Sequence, residues 1–156
     1  MFPLRGAWDH DDVAAFLDDA RIPVRLACRT PKGGLWMLSL WFEYDPEAGQ
    51  LACATAASAD VVRYLREDDT VAFEISTNRP PYRGIRGQGI AAVGPDEEKA
   101  LLRRLLDRYL GGTDSDLARN LLDPDREEVR IAVDVTKAYT WDFSDRMPSE
   151  AAADAE

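Results

Sequence analysis

The sequence predicts a mainly β fold with additional helices, arranged as a six-stranded, partly closed β-barrel with the helices packed outside. Six segments have strand-like apolar patterns, and turns rich in glycine, proline and aspartate separate most neighbouring segments. One long amphipathic helix is inserted before the last strand. With 156 residues, 46% of them hydrophobic, the chain is long enough for one domain with its own core. We expect residues 1–144 to form that domain, with residues 1–8 as an N-terminal arm and 145–156 as an acidic tail.

The strands follow one another along most of the chain. In the first, Val24, Leu26 and Cys28 alternate with Arg25, Ala27 and Arg29, which is typical of a half-buried strand. The second is apolar on both faces, so we expect its outer face to be covered by a helix or by a partner subunit. The glycine-rich fifth strand is expected to be bulged or strongly coiled. The six predicted strands are 21–30, 35–44, 50–55, 70–76, 82–93 and 128–137, the last continuing to about 143.

Four helices are predicted between these strands. Asp9 is a suitable N-cap for the first, and Gly111 ends the third, which carries an apolar stripe that includes Leu101 and Leu105. The predicted ranges are 9–20, 60–66, 96–110 and 115–122.

Composition argues against several classes of function. The formal charge of −10 opposes non-specific binding of nucleic acid, whose phosphates would be repelled. No apolar run is long enough for a membrane helix or a signal peptide, so we expect a cytoplasmic protein that does not bind membranes. Cys28 and Cys53 are expected to be buried hydrophobic residues, and His10 is the only histidine, so no metal site is expected.

The residues that could perform chemistry indicate a cofactor site without a covalent nucleophile. No catalytic triad can be assembled, and paired carboxylates fall at helix or loop ends, where solvated charges are usual. A loop of small residues before the second helix resembles an anion site at a helix N-terminus, although an ordinary strand-to-helix connection is commoner. Three pairs of residues could contribute to a site: Ser39 and Trp41 on the long strand, Thr55 and Ser58 near the second helix, and Arg83 and Arg86 on the glycine-rich strand.

The order of these parts resembles the pyridoxamine 5′-phosphate oxidase-like family, the flavin-binding split-barrel proteins. The resemblance extends from about Ile22 to Phe143 and is carried by LSLWFEYDPEAGQLACAT, VVRYLREDDTVAFEI, YRGIRGQGIAAVG and VRIAVDVTKAYTWDF. It implies an FMN-binding split barrel that forms a homodimer, with two FMN molecules at the subunit interface. It also implies redox chemistry on a small-molecule substrate, for which the flavin supplies the reactivity.

The family's phosphate-binding residues are only partly present in this sequence. Thr55 matches the threonine that ends the family's hairpin, and Arg83 matches the arginine of its glycine-rich strand. Met37 and Phe42 stand where the family has arginine and lysine, and Ala59-Asp60-Val61 stands where it has Ser-Arg-Lys. Losing those cations and gaining an aspartate would cost several kcal/mol of phosphate binding unless other cations replaced them.

The sequence therefore predicts an FMN-dependent oxidoreductase of unknown substrate. Its alternatives are a reductase that uses the deazaflavin F420 and a cofactor-free, dimeric split-barrel protein that binds a partner. Vitamin B6 oxidation is not expected, because the family's substrate-phosphate residues have no clear match. No catalytic residue is assigned. The predicted cofactor-binding residues are Leu38, Ser39, Leu40, Trp41, Thr55, Ser58, Arg63, Arg83 and Arg86.

Overall fold

The computed structural model describes residues 1–147, so most of the predicted acidic tail lies outside the described residues. The strands are β1 (Leu4–Gly6), β2 (Val24–Arg29), β3 (Leu35–Leu40), β4 (Glu43–Asp45), β5 (Gln50–Ala56), β6 (Thr70–Ser76), β7 (Arg83–Pro95) and β8 (Glu128–Asp142). The helices are α1 (His10–Asp19), α2 (Asp60–Glu67), α3 (Ala100–Leu110) and α4 (Asp116–Leu121), and a 3-10 turn, Glu97–Lys99, precedes α3.

The strands form one strongly curved sheet in the order β3-β2-β6-β7-β8-β5-β4, with every neighbouring pair antiparallel. β1 pairs with β8 in the parallel direction. The two longest strands, β7 and β8, pair along their whole length, with a bulge between Gln88 and Gly89. The predicted fold class is confirmed, but the sheet has eight strands rather than six.

Both additional strands have a physical explanation. The predicted strand 35–44 is interrupted at Trp41 and Phe42, because the chain changes partner there: β3 pairs with β2, whereas β4 pairs with β5. At this corner Phe42 enters the core and is fully buried. The other additional strand, β1, belongs to the predicted arm, which lies against β8.

The arm is fixed by specific contacts. Gly6 has a φ of +104°, and a Cβ at this position would overlap the carbonyl oxygen of Thr140, so glycine is required. The Trp8 backbone N–H donates to the Thr140 hydroxyl at 3.0 Å, and its indole Nε1 donates to Asp142 Oδ2 at 3.2 Å. The predicted arm is therefore part of the folded domain.

The main core fills the interior of the curved sheet and extends beneath α1 and α2. It is built from the inward residues of β2, β5, β6, β7 and β8, together with Val13 and Leu17 of α1 and Leu65 of α2. α3 covers a different surface, where Leu101 and Leu105 pack on Ala52 of β5. α3 begins at Ala100, later than the predicted start at residue 96. The carboxylate of Asp96 accepts hydrogen bonds from the Leu101 and Leu102 N–H groups in the first turn of this helix. Within residues 1–147, none of the helices combines the length and the apolar character needed to cross a membrane.

Candidate functional site

The residues predicted on the long strand divide between two surfaces. Leu38 and Leu40 pack against the core, whereas Ser39 is exposed on the opposite face of β3. Trp41 lies beyond the end of β3 and stacks on Tyr109 of α3, with centroids 5.2 Å apart and planes inclined by 10°. Trp41 therefore attaches α3 to the barrel. Of the four predicted residues on this strand, only Ser39 faces solvent, where a ligand could contact it.

The corner before α2 contains Thr55 and Ser58 but offers little positive charge. Thr55 is half-buried near the end of β5, and Ser58 is exposed. Arg63 of α2 lies 3.4 Å from the carboxylate of Asp60, measured from Nη2 to Oδ1, so its charge is partly neutralised. The cap residue Ala59 makes no side-chain hydrogen bond to the helix.

Two of the residues that stand where the resembled family has phosphate-binding cations belong to the core. Phe42 is fully buried and Val61 is 1% exposed, so both are core residues that present no polar atom to a ligand. The nearby Arg126 is committed to the buried Glu128, with 3.0 Å between Nη2 and Oε1. The residues present at this corner do not fit a phosphate group.

Arg83 and Arg86 lie on opposite faces of β7, so the structure does not bring them into one site. Arg83 lies over the ring of Phe16 in α1, with its guanidinium carbon 5.7 Å from the ring centroid. Arg86 lies over two rings of β8, 4.8 Å from the centroid of Tyr139 and 5.3 Å from that of Trp141. The strand alternates between its faces with each residue, which places two side chains three positions apart on opposite sides.

Arg86 belongs to a surface that we call the open face, the outer side of β3, β2, β6, β7, β8 and β1. The strand register aligns one residue from each strand in a row across this face. The row consists of Ser39, Arg25, Glu74, Arg86, Tyr139 and Arg5. A second, parallel row consists of Met37, Ala27, Ala72, Gln88 and Lys137.

A shallow pocket of about 690 Å³ lies over these two rows. Its volume is within the range of small-molecule and cofactor sites. Among its lining residues are four cations, Arg5, Arg25, Arg86 and Lys137, and a single carboxylate, Glu74. A local excess of positive charge on a chain with a formal charge of −10 favours an anionic ligand at this place.

The hydrogen bonds of the pocket leave Arg86 available. The guanidinium of Arg25 lies 3.8 Å from Glu74 and donates to Asn78 Oδ1 at 3.2 Å. Glu74 also accepts a hydrogen bond from the Ser76 hydroxyl at 2.8 Å. Arg86, by contrast, has no hydrogen-bond acceptor or carboxylate partner among residues 1–147. Its guanidinium makes cation–π contacts with the two aromatic rings. Aromatic contacts restrain a guanidinium while leaving its N–H groups free for a ligand.

Reasoning from the sequence missed most of the residues on the open face. Of the first row, the sequence had offered Ser39 and Arg86 as site residues, and alternation had placed Arg25 on the outer face of its strand. The alignment of Arg25 with Glu74 and Arg86 depends on the register of three strands, two of which are separated by more than 40 residues of chain. Tyr139 and Lys137 belong to a strand that was predicted, but their neighbours across the sheet were not.

The cysteines take no part in a site. Burial raises the pKa of the Cys53 thiol to about 12, and burial, with a smaller contribution from Asp68, also raises that of Cys28. Neither thiol is ionised near neutral pH, so neither is a nucleophile. Within the described residues, no group of three or more histidine, cysteine, aspartate or glutamate side chains is placed to hold a metal ion.

Comparison of the sequence with protein-family models and with curated proteins gave no match. Solved structures do match. A conserved hypothetical protein of Mycobacterium tuberculosis is 19% identical, with a TM-score of 0.70 over 87% of this chain and 86% of the other. A protein described as an F420 reductase is 21% identical, with a TM-score of 0.66 over 85% and 97% of the two chains. A putative pyridoxamine 5′-phosphate oxidase from Listeria innocua is 15% identical, with a TM-score of 0.63 over 84% and 96%.

These likenesses define the class of fold. The chain has the split-barrel fold of these structures, as its sequence motifs predicted. At these identities the likeness concerns the fold, and the function has to be argued from the site itself.

Proposed function

We propose that the protein is an oxidoreductase that binds a flavin-type cofactor, FMN or the deazaflavin F420, on the open face. The observation that carries the proposal is Arg86, whose guanidinium lies over two aromatic rings in a cation-lined pocket and has no protein acceptor among the described residues. When bound, such a cofactor supplies the electron transfer, and the protein holds and orients it.

The open face fits such a cofactor better than the corner before α2 does. A phosphate-bearing cofactor needs cations, and Arg5, Arg86 and Lys137 have no carboxylate partner within the described residues. The aromatic and apolar surface of Met37 and Tyr139 is suited to a planar ring. Two solved structures of the same fold are described as an F420 reductase and a putative pyridoxamine 5′-phosphate oxidase, which supports this cofactor class.

We further propose that a second copy of the chain covers the open face. Leu35 and Met37 lie on the open face of the edge strand β3, and they are 84% and 63% exposed. Large exposed apolar side chains on an edge strand favour association, and a homodimer would bury them. Met37→Asp is expected to shift the protein from dimer to monomer in sedimentation experiments. The matched control is Leu117→Asp, at an exposed apolar residue of α4 away from the open face, which is expected to leave the mass unchanged. A variant that keeps the wild-type mass would contradict the dimer.

The cofactor is tested by its optical and thermal signatures. We expect the purified protein to show a flavin or deazaflavin absorption band, or to show an increase in Tm when FMN or F420 is added. Separate titrations with the two cofactors distinguish between them. A colourless protein whose Tm does not respond to either cofactor at millimolar concentration would contradict the proposal.

A cofactor-free binding protein is the second candidate, and the corner before α2 favours it. Asp60 is exposed there, and Ala59 and Val61 provide no cation, so the place where the family holds phosphate is unsuited to it. In this case the open face would recognise an acidic partner through the same cations. Absence of cofactor binding, together with binding of an acidic peptide that Arg86→Gln weakens, would support this candidate.

A further inference from the structure

A second pocket, which we call the outer pocket, lies on the outside of the barrel between the end of α1, α3 and the strands β4, β5 and β8. Its volume is about 520 Å³, and it shares no lining residue with the pocket on the open face. Four arginines line it: Arg21, Arg104, Arg108 and Arg130. Three acidic residues, Asp18, Glu43 and Asp45, line it as well.

Within residues 1–147, a carboxylate neutralises only one of the four arginines. Arg104 binds Glu43 through two parallel contacts, Nη2 to Oε1 at 2.7 Å and Nε to Oε2 at 3.1 Å, and this pairing raises the pKa of Arg104. Among the described residues, none of the other three has a carboxylate oxygen within 4.0 Å of its guanidinium. The ion pair of Arg104 and Glu43 therefore contributes no net charge to the pocket. The uncompensated positive charge comes from the other three arginines.

Two of these arginines also have a structural role at the end of α1. Arg108 donates to the carbonyl oxygens of Leu17 and Ala20, both at 2.6 Å, and Arg21 donates to that of Asp18 at 2.7 Å. Cations at a helix C-terminus satisfy its free carbonyl groups and interact favourably with its dipole. Carbonyl groups do not neutralise the full charge of a guanidinium, so both arginines remain positively charged in the pocket. The buried Nε of Arg108 also has no acceptor within the described residues.

Arg130 has no comparable structural role. It extends from β8, and the only hydrogen bond of its side chain within residues 1–147 is to the Gln50 side-chain oxygen at 3.2 Å. Gln50 in turn donates to Asp134 at 2.9 Å, so its amide is oriented with the oxygen toward the arginine. A half-buried guanidinium with a single neutral acceptor can bind an oxyanion with its remaining N–H groups.

We propose that the outer pocket binds a small molecule that carries an oxyanion, either a phosphate or a carboxylate, through Arg130 and Arg21. The guanidinium geometry suits both groups, because each offers two oxygens to a planar fork of N–H donors. Asp45 does not compete for these arginines as an ion-pair partner, because its Oδ1 accepts the N–H groups of Glu47 and Ala48 in the β4–β5 turn. The pocket is larger than a phosphate ion, so the ligand is an organic molecule that bears the oxyanion.

The probes are inorganic phosphate and succinate, each compared with sodium chloride at equal ionic strength. We expect at least one probe to raise Tm by about 3 °C or more at saturating concentration. Arg130→Gln is expected to weaken the response about 10-fold or more in probe concentration, and Arg103→Gln, an exposed α3 residue outside the pocket, is expected to leave it unchanged. The stronger probe identifies the class of oxyanion.

The same titration separates this site from the proposed cofactor site. Arg86→Gln should retain the response, because Arg86 belongs to the open face. A response that is lost in Arg86→Gln but retained in Arg130→Gln would place the anion on the open face and overturn the proposal. The absence of any rise above the chloride control would overturn it as well, and neither result would exclude a flavin-type cofactor.

Discussion

Arg83 and Arg86 stand three residues apart on one strand, yet Arg83 lies over Phe16 of α1 and Arg86 lies over Tyr139 and Trp141 on the opposite face. Two arginines that appear as one basic cluster in the sequence therefore serve different surfaces. Arg83 contributes to the attachment of α1, and Arg86 is available to a ligand on the open face.

This separation predicts different effects of the two substitutions on cofactor binding. Arg86→Gln should weaken binding of FMN or F420 about 10- to 100-fold, because a charge-assisted hydrogen bond contributes about 1.5–3 kcal/mol. Arg83→Gln should leave the affinity within about 2-fold of the wild type. Fluorescence or absorbance titrations of the two variants provide the comparison. Equal losses in both would show that the ligand does not lie over the open face.

The stacking of Trp41 on Tyr109 predicts a structural role for Trp41. Trp41→Ala should lower the free energy of unfolding by about 2–4 kcal/mol, because it removes the ring that packs between α3 and the sheet. Trp36→Ala is the matched control: Trp36 is 40% exposed and contacts Tyr64 edge-on, so its loss should cost less. Urea denaturation measures both. A smaller effect at Trp41 than at Trp36 would argue against this role.

The lowered pKa of Asp142, which accepts a hydrogen bond from Trp8 of the N-terminal arm, predicts that the folded state loses stability in acid. Burial acts to raise the pKa of Asp142, but hydrogen bonds from Ser144 and Trp8 outweigh it and hold the pKa below its ordinary value of 3.8. A carboxyl whose pKa is lower in the folded state stabilises that state above pH 3.8 and loses this contribution as the pH falls through the folded pKa.

Asp142→Asn tests this expectation. The variant should be less stable than the wild type at neutral pH, and the difference should shrink below about pH 3.8, measured by urea denaturation with tryptophan fluorescence. Asp145→Asn, at an exposed position, should follow the wild type throughout. A difference that is constant from pH 7 to pH 3 would show that the charge of Asp142 has no part in stability.

The buried cysteines predict low thiol reactivity in the folded protein. Cys53 is 1% exposed and Cys28 is 3% exposed, and the pKa of Cys53 is raised to about 12. At pH 8, native protein should react with a thiol reagent far more slowly than protein unfolded in guanidinium chloride, in which both cysteines should react. Rapid modification of a native cysteine would reveal local opening of the strand that carries it.

The sequence was sufficient for the fold class because alternation along the strands survives in the structure. Val24, Leu26 and Cys28 face the core as the pattern indicated. The break at Trp41 and Phe42 could not be predicted, because an uninterrupted apolar run does not show that its two halves pair with different strands. The short β1 was missed for a related reason, since its pairing with Ala138 depends on a contact between the two ends of the domain.

The site was harder to predict than the fold. The sequence offered Arg86 as a candidate cation on a glycine-rich strand, but Arg25, Glu74 and Tyr139 join it only through register. A shift of one residue in any of these pairings would move a side chain to the other face. The sequence of a single chain carries little direct information about register, so a row that runs across several strands becomes visible only in the structure.

The position of β8 has a consequence for how the chain acquires its fold. This last strand of the domain pairs with β7 along one edge, and with β5 and then β1 along the other. During synthesis on a ribosome, seven strands emerge before β8, and β1, β5 and β7 each keep an unpaired edge until residues 128–142 have emerged. Contacts across more than 130 residues of chain also make folding slow relative to proteins with mainly local contacts. The nascent chain is thus expected to depend on chaperones most strongly just before its final strand leaves the exit tunnel.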